Sequence, residues 1–171
     1  MSKIIFICEL LLTITLAGCA TNAPIATTAA SGPYRGTHNV QMPTGVGNLF
    51  AWPVRGEVIL PFGAKMGNIK NKGIDIKANE GASVRAAETG KVVYCDSYLK
   101  GFGKTIILDH GNNYQTVYSY NSEILVKVGD VVERNTVIAR VGSTGRAKEP
   151  SLHFEVRKNG EPKDPVYYLR Y

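Results

Sequence analysis

The chain has 171 residues, 44% hydrophobic and 20% charged, enough apolar material for one globular core plus a tail. Its formal charge is +6, and Lys3 and Glu9 cancel, so the excess lies downstream of the N-terminal segment and suits an anionic partner. No basic run is interleaved with aromatics, which makes nucleic acid the weakest of the anionic readings.

Met1 to Lys3 give a short positive start, and Ile4 to Ala17 form an apolar stretch too short to span a bilayer as a helix. The stretch ends in Leu16-Ala17-Gly18-Cys19, which resembles a lipobox. Residues 1–18 therefore read as a lipoprotein leader, with Cys19 as the lipidated residue and the lipid as the link to the membrane. Glu9 is a charge in an otherwise apolar run, and an ordinary secretory signal cut near Ala20 is the alternative. Residue 20 is Ala rather than Asp, which by resemblance to enterobacterial sorting points to the periplasmic face of the outer membrane. Residues 19–49 are rich in Ala, Thr, Gly, Pro and Ser and read as a flexible tether, in which His38 is a solvated residue. Cys8 leaves with the leader, so no intramolecular disulfide is expected. Cys95, within Val92-Val93-Tyr94-Cys95, reads as a buried small apolar residue on a strand.

From Phe50 onward the pattern is one of short strands. Val54 to Leu60 is expected as a strand before Pro61, then Ile74 to Lys77, then Ala82 to Ala87 and Gly90 to Asp96 around a Glu88-Thr89-Gly90 turn. Lys104 to Asp109 and Tyr114 to Tyr120 form a hairpin across His110-Gly111-Asn112-Asn113, with His110 as a turn residue bonded to its own backbone. Val126 to Val132 and Val137 to Val141 follow. Leu152 to Arg157 alternates, with Leu152, Phe154 and Val156 on one face and His153, Glu155 and Arg157 on the other. Lys158 to Glu161 turns the chain. No stretch keeps a helical period, so the class is all-β, an antiparallel sandwich or partly open barrel. An internal echo links Glu80 to Val93 with Val128 to Gly142, in the manner of small lipoyl-like barrels, although Thr89-Gly90-Lys91 does not match a lipoyl lysine.

Ordered blocks then carry a family resemblance. They are Pro61-Phe62-Gly63, Lys72-Gly73-Ile74-Asp75-Ile76, Val84-Arg85-Ala86-Ala87, Gly90-Lys91-Val92, Asp109-His110-Gly111, Val128-Gly129-Asp130-Val131-Val132, Gly142-Ser143-Thr144-Gly145 and Leu152-His153-Phe154-Glu155-Val156. In this order they resemble LytM-type (lysostaphin-like) peptidoglycan metallopeptidases of the M23 type, over about Phe50 to Pro165. The resemblance implies that residues 50–171 form a LytM-type β domain, with the duplicated, lipoyl-like hybrid motif. Active members hold Zn²⁺ with an H-x-x-x-D pair and the second His of H-x-H, and use two further His residues in catalysis. Here the first block reads Asn71-Lys72-Gly73-Ile74-Asp75, the second Ser151-Leu152-His153, and the strand carrying the other catalytic His reads Tyr118-Ser119-Tyr120. Asp75 and His153 are retained, while Asn71, Tyr120 and Ser151 replace functional His residues. Two good ligands do not hold zinc against competing chelators, and each lost acid–base group removes ~10²–10⁴-fold in rate. The expectation is therefore no catalytic residue, no cofactor and a mutually bonded Asp75–His153 pair.

Degenerate lipoproteins of this family, the NlpD/EnvC-like branch, bind and activate N-acetylmuramoyl-L-alanine amidases during cell division. The resemblance implies the same here, with the old groove as docking surface, lined by Asn71, Lys72, Tyr120, Ser143, Thr144, Arg146, Lys148 and Ser151. Members of the branch often carry a LysM module, for which residues 20–48 leave no room. A peptidoglycan-binding scaffold without amidase activation, and a residual zinc endopeptidase, are the alternatives.

Overall fold

The structure, a computed structural model, describes residues 49–170. The expected leader, Cys19, His38 and residues 19–48 of the tether lie outside the described residues; Leu49, the last residue expected in the tether, is instead buried in the core. In chain order the strands are β1 (Phe50–Ala51), β2 (Glu57–Leu60), β3 (Lys65–Met66), β4 (Ile69–Lys70), β5 (Ile74–Lys77), β6 (Ser83–Arg85), β7 (Gly90–Asp96) and β8 (Lys104–Asp109). Then come β9 (Tyr114–Asn121), β10 (Glu123–Ile124), β11 (Val131–Val132), β12 (Val137–Arg140), β13 (Ser151–Lys158), β14 (Glu161–Lys163), a 3₁₀ turn (Pro165–Tyr167) and β15 (Leu169–Arg170). The all-β expectation holds. A large antiparallel sheet runs β11-β7-β8-β9-β13-β5-β2, with β14 paired to β13, and a small sheet runs β10-β12-β6.

The period of two along β13 explains why it lies at the centre. Leu152, Phe154 and Val156 are fully buried and join Ile74, Ile76, Ile106, Leu108 and Tyr118 from the neighbouring strands. The same apolar cluster includes Val84, Ile138, Ala139 and Val141, so one core joins the large sheet to the small one. The alternate residues of β13 then fall on the opposite face. There His153 stands beside Asp75 on one side and Ser119 on the other.

The internal echo has a hydrogen-bonding basis. Gly81 N–H donates to Val141 O at 2.8 Å, and its counterpart Gly129 N–H donates to Val92 O at 2.9 Å. In return Val141 N–H donates to Ala82 O at 2.9 Å and Val92 N–H to Asp130 O at 2.8 Å. Both glycines have positive φ, 78° and 97°, a conformation that a side chain would strain. The repeat therefore pairs each arm with the far arm: β6 with β12, and β7 with β11. The segments either side of Glu88-Thr89-Gly90 accordingly enter different sheets.

Several boundaries differ from the sequence reading. The strand expected from Val54 begins at Glu57, because Pro53 and Val54 are buried and Pro53 O accepts Arg85 N–H. Only Val131–Val132 of the Val126 to Val132 run is a strand. Asp130 accepts Lys127 N–H through its carboxylate and donates its own N–H to Lys127 O, closing a turn that ends the ladder. Cys95 is free and half-buried at the core margin rather than buried.

His110 is the largest departure. It is 2% exposed, and its ring spans strands instead of bonding its own backbone. Nδ1 lies 2.9 Å from Thr89 O, and Nε2 lies 2.7 Å from Thr116 Oγ1, whose hydroxyl is 2.9 Å from that of Tyr118. A carbonyl only accepts, so Nδ1 carries the proton. Burial holds the His110 pKa down to about 4, against weaker raising effects of Thr89 O and Asp109. The folded pKa lies below the unfolded value of 6.5, so His110 stabilises fully above 6.5 and this is lost as pH falls toward 4. The expected loss is about 3 kcal/mol once both states are protonated. Urea unfolding of wild type and His110→Phe between pH 7 and pH 4 measures it: the wild-type curve should show the extra acid-side loss, and parallel curves would contradict it.

Candidate functional site

The face of the large sheet opposite the core carries a row of charged side chains. His153 Nδ1 lies 2.7 Å from Asp75 Oδ1 on β5, and Nε2 lies 3.1 Å from Glu155 Oε1, two residues along β13. The other Glu155 oxygen accepts Arg157 Nε–H at 2.7 Å and pairs with its Nη2 at 2.6 Å. Asp75, His153 and Glu155 are all buried, Glu155 with no exposed surface. Burial opposes charge on the imidazole, but the hydrogen bonds to Asp75 and Glu155 outweigh it and push the His153 pKa up. Burial likewise opposes charge on Glu155, yet His153 and Arg157 together hold its carboxyl below the usual range. With a carboxylate at each ring nitrogen, both nitrogens donate and the ring is held as an imidazolium. The expected Asp75–His153 bond is present. Glu155 is the member the sequence reading passed over, although the period-two row His153, Glu155, Arg157 already placed the three on one face.

Of the positions expected to be replaced, Asn71 and Ser151 bond the backbone. Asn71 is buried, and its amide donates to Leu60 O at 3.2 Å and Pro61 O at 3.4 Å. Its Oδ1 accepts Gly73 N–H at 3.4 Å, so the side chain braces the loop between β2 and β5. Ser151 is buried with its hydroxyl on Glu149 O at 3.0 Å, away from His153. Tyr120 does reach the pair, with its ring centroid 5.3 Å from that of His153. Burial first, then the charge of Asp75, pushes its phenol up to about 12, so it is a neutral hydroxyl. Its backbone sits at φ 71°, uncommon for an aromatic residue and costing of order 1–3 kcal/mol. Tyr120 N–H donates to Phe102 O at 2.9 Å, and Thr144 N–H reaches Tyr120 O at 3.4 Å, which hold that conformation.

Phe102, not anticipated from the sequence, packs edge-on against His153 at 5.5 Å between centroids. Its loop meets the loop of Thr144 so closely that a Cβ on Gly145 would fall 2.7 Å from Gly101 O. Thr144 is half-buried and tied inward, its hydroxyl donating to Asn121 O at 2.9 Å and accepting Lys104 N–H at 3.2 Å. Ser143, Arg146 and Lys148 are exposed on that segment, and Lys72 is exposed beside Asn71. Of the expected groove residues, Tyr120, Thr144 and Arg146 gather at the ion row, but Tyr120 is only 3% exposed, so its side chain packs inward and does not line a docking surface. Asn71 and Ser151 turn their side chains away.

These residues do not fit a zinc ion. The Asn71 amide faces backbone carbonyls, and both His153 nitrogens are engaged by carboxylates. Among the described residues, no three His, Cys, Asp or Glu side chains converge to ligate a metal.

Comparison with known proteins agrees with this architecture. The sequence profile of peptidase family M23 matches residues 69–165, and the chain belongs to that family. It is 41% identical over 118 residues to the murein hydrolase activator NlpD of Escherichia coli K12, covering 69% of this chain and 30% of the relative. It is 36% identical over 163 residues to the outer membrane antigenic lipoprotein B of Haemophilus influenzae, covering 90% of this chain and 39% of the relative. The chain thus spans well under half the length of these relatives. Among solved structures, a zinc-containing peptidase from Vibrio cholerae superposes with a TM-score of 0.63 at 30% identity, over 67% of this chain and 38% of that one.

The ion row has a direct stability consequence. Glu155→Leu should cost about 3–5 kcal/mol in urea unfolding, because it strands the buried His153 charge. Glu149→Ala, which removes only the solvent-exposed pairing with Lys77, should cost far less. Similar losses for the two variants would contradict a buried charge relay.

Proposed function

We propose that this protein is a catalytically inactive M23-family lipoprotein that binds and activates N-acetylmuramoyl-L-alanine amidases for septal peptidoglycan splitting. In this reading its lipid sits at Cys19, on the periplasmic face of the outer membrane. The observation that carries it is the condition of the retained ligands: His153 is locked between Asp75 and Glu155 and presents no lone pair to a metal. Without a metal there is no activated water, and with Ser151 and Tyr120 at the acid–base positions no imidazole remains to replace it. Relatives named murein hydrolase activators support the same reading.

What remains is a surface. Exposed Ser143, Arg146 and Lys148, with Lys72 exposed beside Asn71, present side chains to solvent, while Tyr120 is only 3% exposed and packs beneath them against His153. Arg side chains are frequent anchors of protein interfaces. Activation requires that this surface bind the amidase's open state more tightly than its closed state.

The test is dye release from labelled sacculi by candidate amidases with and without the purified protein. Release should rise with a cognate amidase and stay at background with the protein alone. Arg146→Glu should weaken stimulation at least about tenfold, the scale of one lost interface anchor. No stimulation of any amidase would remove the activator reading. Fragments released by the protein alone, with bound zinc, would favour a working peptidase.

A further inference from the structure

A second concavity lies on a part of the domain that shares no residue with the ion row. It is a cleft of about 1050 Å³, within the range that encloses a ligand of several rings or residues. Its floor is the apolar segment from Ala51 to Val54, and its cations are Arg55, Arg85 and Arg170. Among the described residues no Asp or Glu lines it, while three guanidinium-bearing residues do. The chain's sole tryptophan, Trp52, is half-buried in the lining.

The cleft is preorganised. Arg85 N–H donates to Pro53 O at 2.8 Å, and its guanidinium donates to Asn135 O at 2.8 Å, which fixes the β6 wall against the entering chain. Arg170 is set opposite by parallel pairing with Ala51. Little ordering cost remains for a ligand that meets these groups.

We propose that this cleft is a peptidoglycan-binding subsite, taking stem-peptide carboxylates on Arg55, Arg85 and Arg170 and a sugar ring against Trp52. The proposal rests on the reading that the protein works at the cell wall. Guanidinium groups bind carboxylates in bidentate pairs, and an indole offers a flat apolar face to the C–H face of a pyranose. Peptidoglycan supplies both chemistries within one disaccharide and its peptide. An anionic lipid surface would match a flat basic patch flanked by exposed apolar residues, rather than a walled cleft. The domain would then hold its substrate polymer on one surface and its protein partner on another.

Muramidase-released disaccharide-peptide fragments, titrated into the purified protein while Trp52 emission is followed, provide the test. A saturable change in emission is expected. Arg55→Glu/Arg170→Glu reverses two exposed charges and should weaken binding at least about tenfold, with unchanged circular dichroism. Fragments with amidated carboxylates should bind wild type equally weakly. An unchanged Trp52 signal, or equal affinity in the variant, overturns the proposal. So does a response to phosphatidylglycerol vesicles without one to fragments. Amidase stimulation by the same variant, measured in parallel, separates the two readings. Fragment binding without stimulation leaves the subsite standing and removes the activator role; stimulation without fragment binding does the reverse.

Discussion

An imidazolium clamped between two carboxylates governs this domain. His153 joins the middle of β13 to Asp75 on β5 and to Glu155 on its own strand, and Arg157 closes the row. Each charge is removed from water, so each is tolerable only because its neighbour is present. Carboxylates stand at both ring nitrogens, so the row ties β5 to β13 through paired buried charges.

Around the row, Asn71 and Ser151 satisfy nearby backbone carbonyls. Tyr120 takes a different course. It keeps a left-handed backbone, lies on the His153 ring, and is held by two loops that meet at glycines. The cleft around Trp52 adds a cationic concavity that shares no lining residue with the ion row.

Much of this architecture could be read from the residues. Period-two alternation gave β13 its two faces, and the strands at Ile74–Lys77, Gly90–Asp96 and Lys104–Asp109 match their apolar runs. Asn71, Tyr120 and Ser151 stood out only through the family resemblance, not through periodicity. What escaped was of three kinds. Strands of two residues, such as β1, β3 and β10, are too short to show a period. His110 looked like a turn residue because its partners, Thr89 and Thr116, are set by tertiary pairing of β7, β8 and β9. Glu155 and Phe102 were in plain view, but their significance comes from the charge and the ring they cover, which only the folded register brings to them.

The central claim concerns the two ring nitrogens of His153, and ¹⁵N NMR of that ring with one equivalent of zinc interrogates them directly. The account predicts two protonated nitrogens at neutral pH, with shifts unchanged by zinc. A ring nitrogen that loses its proton and moves to a metal-bound shift at stoichiometric zinc would contradict it.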